Sequence, residues 1–121
     1  MFMGELFENG FFPRLAARDL RRWIELLKHA ETWDVGIYIP GHGAPGGKKE
    51  VASFRGYLEW LAAQMERRVK EGQTLEQVKK ELQPAEVFHY RAPELATENV
   101  EAAYNQFAVT TPSLAPPAAS Q

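Results

Sequence analysis

The chain has 121 residues, 45% of them hydrophobic and 25% charged, with a formal net charge of −2. These are the values of one small globular domain rather than two. No broad basic surface argues for nucleic acid or for an anionic membrane, and the absence of cysteine excludes disulfides, thiolate metal sites and cysteine nucleophiles. No apolar run approaches the roughly 18–20 residues of a membrane span. The opening MFMGELFENGFF carries acidic residues and no basic stretch, so it does not read as a signal peptide, and the cytoplasm is the default compartment.

The first element is a short strand stub over residues 1–3, extending to Leu6 at most, and it opens directly on apolar side chains. Asn9-Gly10 and Pro13 follow as turn signals. From about Ala17 to Thr32 the pattern turns helical: Leu20, Trp23, Ile24, Leu27 and Ala30 share one stripe, and Asp19 is placed as a first-turn acid that favours the helix dipole. Val35, Ile37, Tyr38 and Ile39 are β-branched or aromatic and too few for a helix, which predicts a buried strand. Pro40 ends it, because proline cannot donate to a central ladder.

A loop to Gly47 leads into a long helix over Lys48–Glu71. Val51, Phe54, Leu58, Leu61, Met65 and Val69 form its seam, and Gly72 is placed as the residue just past its end. Thr74-Leu75-Glu76-Gln77 is a capping box that opens a short helix over 75–82, stopped by Pro84. Residues 85–93 read as irregular. Thr97 is set to cap a last helix over about 98–108, with Val100, Ala103, Tyr104 and Phe107 on one face. Residues 110–121, TTPSLAPPAASQ, are Pro/Ala/Ser-rich with nothing to bury, and a disordered tail is expected. The order β-α-β-α-α-α is mixed α/β, with the domain over 1–109. Two strands do not make a sheet with both faces satisfied, so the uncovered face and the strand edges call for a partner.

The chemistry centres on YIPGHGAPGG, residues 38–47, in which His42 stands among four glycines and two prolines. A strand that stops at Pro-Gly-His-Gly places the imidazole at its carboxyl end, where open α/β sheets put their ligands. Neutral imidazole is the commonest metal ligand and a frequent general base. The plainer alternative is a turn histidine bonded to a nearby carbonyl. Phe7, Phe11 and Phe12 flank the site, as core or as pocket wall. Lys48 and Lys49 begin the adjoining helix, as a solvated first turn or as contacts for an anion. Trp60 lies off the main seam. His29 and His89 lack ligand spacing and read as surface or packing residues.

VGIYIPGHG, preceded by the helix DLRRWIELLKHAETW, resembles the C-terminal half of the metallo-β-lactamase superfamily, most closely the hydrolases related to glyoxalase II. The resemblance covers about residues 1–83. It implies a partial αββα fold, the C-terminal αβ half with few strands and three to four helices. It also implies zinc, with His42 matching the last metal-binding histidine. Gly4-Glu5-Leu6 matches the family's Gly-Asp-Leu segment, which puts Glu5 at the bridging aspartate, one methylene longer. The family's His-x-His-x-Asp-His ligands have no counterpart in this chain. Two functions follow as expectations. One is a fragment of a metal-dependent hydrolase acting on an ester, thioester or lactam of unidentified structure, inactive alone and completed by an N-terminal half. The other is a non-catalytic half-fold that assembles as a homodimer, bringing two His42 and two Glu5 together about a two-fold axis.

Overall fold

The computed structural model describes residues 1–16 and 18–110. Among them the chain forms two short strands and five helices: β1 (Phe2–Gly4), α1 (Leu20–Glu31), β2 (Ile39–Pro40), α2 (Lys48–Lys70), α3 (Leu75–Glu81), α4 (Pro84–Val87) and α5 (Glu94–Thr110). The architecture is mixed α/β and mostly helical. None of the described helices is long and apolar enough to cross a membrane. The tail expected over 110–121 lies outside the described residues except for Thr110, which closes α5.

β1 and β2 pair in parallel, with Phe2 opposite Ile39 and Gly4 opposite Pro40. A parallel pair needs a crossover connection, and α1 supplies it. Side chains alternate across a strand, and the sheet divides accordingly. Met3 and Tyr38 point into the core and are buried, with the Tyr38 hydroxyl donating to Ala30 O of α1 at 2.9 Å. Burial raises the pKa of that phenol, with nearby Glu31 adding to the effect. On the opposite face Phe2 is 80% exposed and Ile37 59%.

α1 begins at Leu20, where its apolar stripe starts, rather than at about Ala17, because Asp19 is the N-cap itself. Its carboxylate accepts the Arg22 N–H at 3.1 Å, which satisfies one of the orphan donors of the first turn. All five stripe residues, Leu20 to Ala30, are buried. α2 keeps its seam inside from Val51 to Met65, with Val69 partly buried. Arg55 ties the two helices together through Glu31 at 3.0 Å on α1 and Glu59 at 2.9 Å one turn along.

Two corrections concern the C-terminal third. Residues 85–93 are not irregular throughout: Pro84 opens α4, with Phe88 N–H closing onto Pro84 O at 2.8 Å. Proline is favoured in a first helical turn, where its missing N–H costs nothing. α5 starts at Glu94 rather than 98, so Thr97 lies inside the helix and does not cap it. Pro93 and Glu94 supply the start instead.

α5 lies on α2 and α3. Among its described side chains the buried polar one is Asn99, on the face of Ala96, Val100, Ala103 and Phe107. The Asn99 amide donates to Pro13 O at 2.8 Å and to the Tyr57 hydroxyl at 3.0 Å, and its oxygen accepts the Leu15 N–H at 2.9 Å. One side chain thereby ties the loop before α1 to α2 and α5. Beside it, Phe12, Tyr57, Phe88 and Tyr90 stack edge to face with centroids 5.2–6.0 Å apart, and Trp60 joins through Phe88 at 5.2 Å. Trp60 is therefore a packing residue.

Candidate functional site

The loop after β1 and the loop after β2 meet at the carboxyl end of the sheet. Gly41 N–H donates to Phe7 O at 2.9 Å, and Asn9 N–H donates to His42 O at 3.0 Å. The Asn9 amide adds a bond to Ala44 O at 2.8 Å. Gly43 has φ +96°, and a β-carbon there would lie 2.0 Å from Asn9 O. That position needs glycine on both counts, backbone conformation and space. The flexible composition of PGHGAPGG thus encodes a close backbone crossing rather than mobility.

This crossing puts Glu8 beneath His42. Glu8 is only 6% exposed, whereas the His42 side chain is 64% exposed. The imidazole Nδ1 lies 3.2 and 3.3 Å from the two carboxylate oxygens. Burial pushes the Glu8 carboxyl above its usual value of 4.5, and bonds from the His42 side chain and backbone N–H draw it part of the way back. With Glu8 ionised, Nδ1 carries the proton of that bond. A neutral ring then presents Nε2 as its free lone pair. The same arrangement, a carboxylate orienting the rear nitrogen of a histidine, is the common support of metal-ligating imidazoles.

Glu5, the other residue expected to hold metal, lines the same cleft as His42, together with Glu8, Phe11, Phe12, Arg14, Ala92 and Leu95, around a volume of about 310 Å³. Its carboxylate pairs with Arg18 at 3.0 Å. Arg18 in turn stacks on Trp23 at 4.7 Å, and the Trp23 indole N–H donates to Leu6 O at 2.8 Å. His42 and Glu5 are thus brought to one cleft, but the carboxylate on His42 is that of Glu8. Reading along the chain missed Glu8 because nothing local marks it. It stands just before the Asn9-Gly10 turn, and its partner lies 34 residues away.

The remaining sequence candidates fall elsewhere. Phe7 is core, edge to face with Phe54 at 5.9 Å, while Phe11 and Phe12 line the cleft. His29 and His89 are exposed, and His29 rests on Trp33. Lys48 and Lys49 are exposed in the first turn of α2 and do not line the cleft.

A catalytic zinc takes three protein ligands and a water. Among the described residues no group of three or more His, Cys, Asp or Glu side chains converges. His42 and Glu5, with Glu8 behind His42, therefore do not complete that donor set. No protein-family model matches the chain, and no curated protein or solved structure matches it. The metallo-β-lactamase resemblance accordingly rests on the residues quoted for it.

Proposed function

We propose that the chain is the C-terminal αβ half of a metallo-β-lactamase-type hydrolase domain, a half-site for cleaving an ester, thioester or lactam. The observation that carries this reading is the disposition of His42. The imidazole stands at the carboxyl end of a parallel strand, its Nδ1 on a buried carboxylate and its Nε2 without a hydrogen bond among the described residues. A turn histidine needs no buried acid behind it, and burying that acid is costly. Glu5 at the same cleft is the second donor. The donors are too few for a catalytic zinc site, so hydrolysis belongs to a completed domain, whose further ligands would come from an N-terminal half.

Zinc added to isotopically labelled protein is expected to move the His42 ring resonances well before those of His29 and His89, which report adventitious surface binding. An equal response from the three histidines would sink the half-site reading.

The bare sheet face favours a second reading, a non-catalytic module that pairs with its own copy. Phe2 and Ile37 form an apolar face opposite the helices, and a face of that kind calls for cover. Light scattering separates the two. A dimer that Ile37→Glu converts to monomer supports self-assembly, and a wild-type monomer removes it.

A further inference from the structure

α5 has a second face beside the one it buries. Glu98, Glu101, Ala102, Asn105 and Val109 recur at steps of three and four, which puts them on one side of the helix. They floor a groove of about 780 Å³, larger than the cleft beside His42. The start of α1 forms the other wall, with Ala16, Asp19 and Arg21. Gln106 joins the two walls. Its amide oxygen accepts the Leu20 N–H at 2.9 Å, and its amide nitrogen donates to Arg18 O.

The charges of the groove are already committed. Glu98 reaches Arg14 at 3.5 Å and Glu101 reaches Lys79 at 3.4 Å. Asp19 caps α1, and the Arg21 guanidinium lies 4.0 Å from the Phe107 ring centroid. A charged occupant would compete with these contacts, whereas an uncharged one leaves them in place. What the groove still offers is the small surface of Ala16 and Ala102, the Val109 side chain, 84% exposed, and the Asn105 amide, which has no hydrogen bond among the described residues. Small apolar surface with one amide suits an extended chain, whose backbone groups make no bonds of their own.

The protein carries such a chain at the mouth of the groove. α5 closes at Thr110, next to Val109. Residues 111–121, TPSLAPPAASQ, have no charged side chain. Pro112 is a poor continuation of a helix and biases Thr111 away from helical backbone, so the chain can turn back at that point. Pro116 and Pro117 favour polyproline II. From Val109 back to Glu98 the α5 face runs about 17 Å, and Ser113 to Ala119 in polyproline II spans about 19 Å. Laid back along α5, Leu114 falls at the Val109 end. A short tether also supplies an effective concentration in the millimolar range, so contacts too weak to hold a separate peptide suffice.

We infer that the groove between α1 and α5 is a docking site for the chain's own residues 113–119, running antiparallel to α5 with Leu114 against Val109 and the Asn105 amide on the docked backbone. The groove shares no lining residue with the His42 cleft, so this inference stands or falls independently of the half-site.

The chain has no cysteine, so Ser120→Cys gives the full-length protein one position for a nitroxide label. With the segment docked, the label lies near Glu98, and the Glu98 and Ala102 amide signals are expected to lose most of their intensity. Leu114→Asp in the labelled chain should restore it. Unchanged Leu58 and Phe107 amide shifts check that the core is intact in both variants. A mixture of isotopically labelled chain with separate nitroxide-bearing chain is expected to show no loss at Glu98. A loss in that mixture would give the groove to a second copy and overturn the inference. No loss at Glu98, a loss that fades from Val109 towards Glu98, or a loss that survives Leu114→Asp would overturn it as well.

Discussion

The helical body and the end of the sheet obey opposite rules. In the body, α1, α2 and α5 bury Leu20, Leu27, Leu58, Leu61 and Phe107 almost completely. The polar residue admitted there, Asn99, has bonds from both ends of its amide. At the end of the sheet a buried acid lies under an exposed imidazole, an alanine holds a positive φ, and apolar side chains of the sheet point outward. Every choice in the body lowers the energy of this chain on its own. The choices at the sheet end raise it, and such costs concentrate where a protein binds something.

That contrast can be broken at four points. The largest effect is expected in the body: Leu58→Ala should cost about 2–5 kcal/mol, read as a shift of the urea midpoint, while the chemical shifts of His42 and Asn9 keep their native values. If they change together with the midpoint, the two regions are one cooperative unit. Gly43→Ala should cost about 2–4 kcal/mol, because the new β-carbon collides with Asn9 O. Its effect should be local, with faster hydrogen exchange at Asn9 and little change in α2.

The third point is electrostatic. The Glu8 carboxyl is raised above 4.5 in the folded chain, so between the usual value and the raised one the native state holds a proton that the unfolded state has released. Stability contributed by this group is present below the usual carboxylate value and is lost as pH rises through the raised one. Glu8→Gln should therefore gain relative to wild type as pH increases from 4.5 towards neutrality, and denaturation series at several pH values check it. A difference that stays flat would mean that His42 offsets the burial of Glu8 in full. The smallest effect is Ala92→Gly, expected to stabilise by about 0.5 kcal/mol, because glycine relieves the strain at φ +61° but loses more entropy on folding. Differential scanning calorimetry reads it as a small rise in Tm.

The helices were legible from periodicity wherever a continuous apolar stripe met a polar face. The α1 stripe and most of the α2 seam are buried as their spacing indicates, and the Thr74–Gln77 capping box forms with both of its bonds. Boundaries were less legible where a polar residue had two uses. Asp19 serves as cap instead of first-turn acid, and Thr97 rides inside α5. The strand around Ile37–Ile39 was visible as an apolar run, but only its pairing with residues 1–4 separates Tyr38, buried, from Ile37, exposed. The site was half visible. His42 declared itself through its glycines, and Phe11 and Phe12 through their proximity in the chain. Glu8 and Ala92, which also line the cleft, carry no local mark.

By itself the sequence determined the helical body, because the residues that make each helix amphipathic lie within a few turns of one another and hydrophobic burial needs no further instruction. It also determined that a histidine would stand in a glycine loop after a strand. Only the tertiary structure decided what that histidine meets. The Asn9–His42 crossing, the burial of Glu8 against Gly41 and the bridge from Arg91 to Phe11 join residues 33 to 80 positions apart. Such contacts depend on strand register and on the packing of α5, which no local pattern specifies.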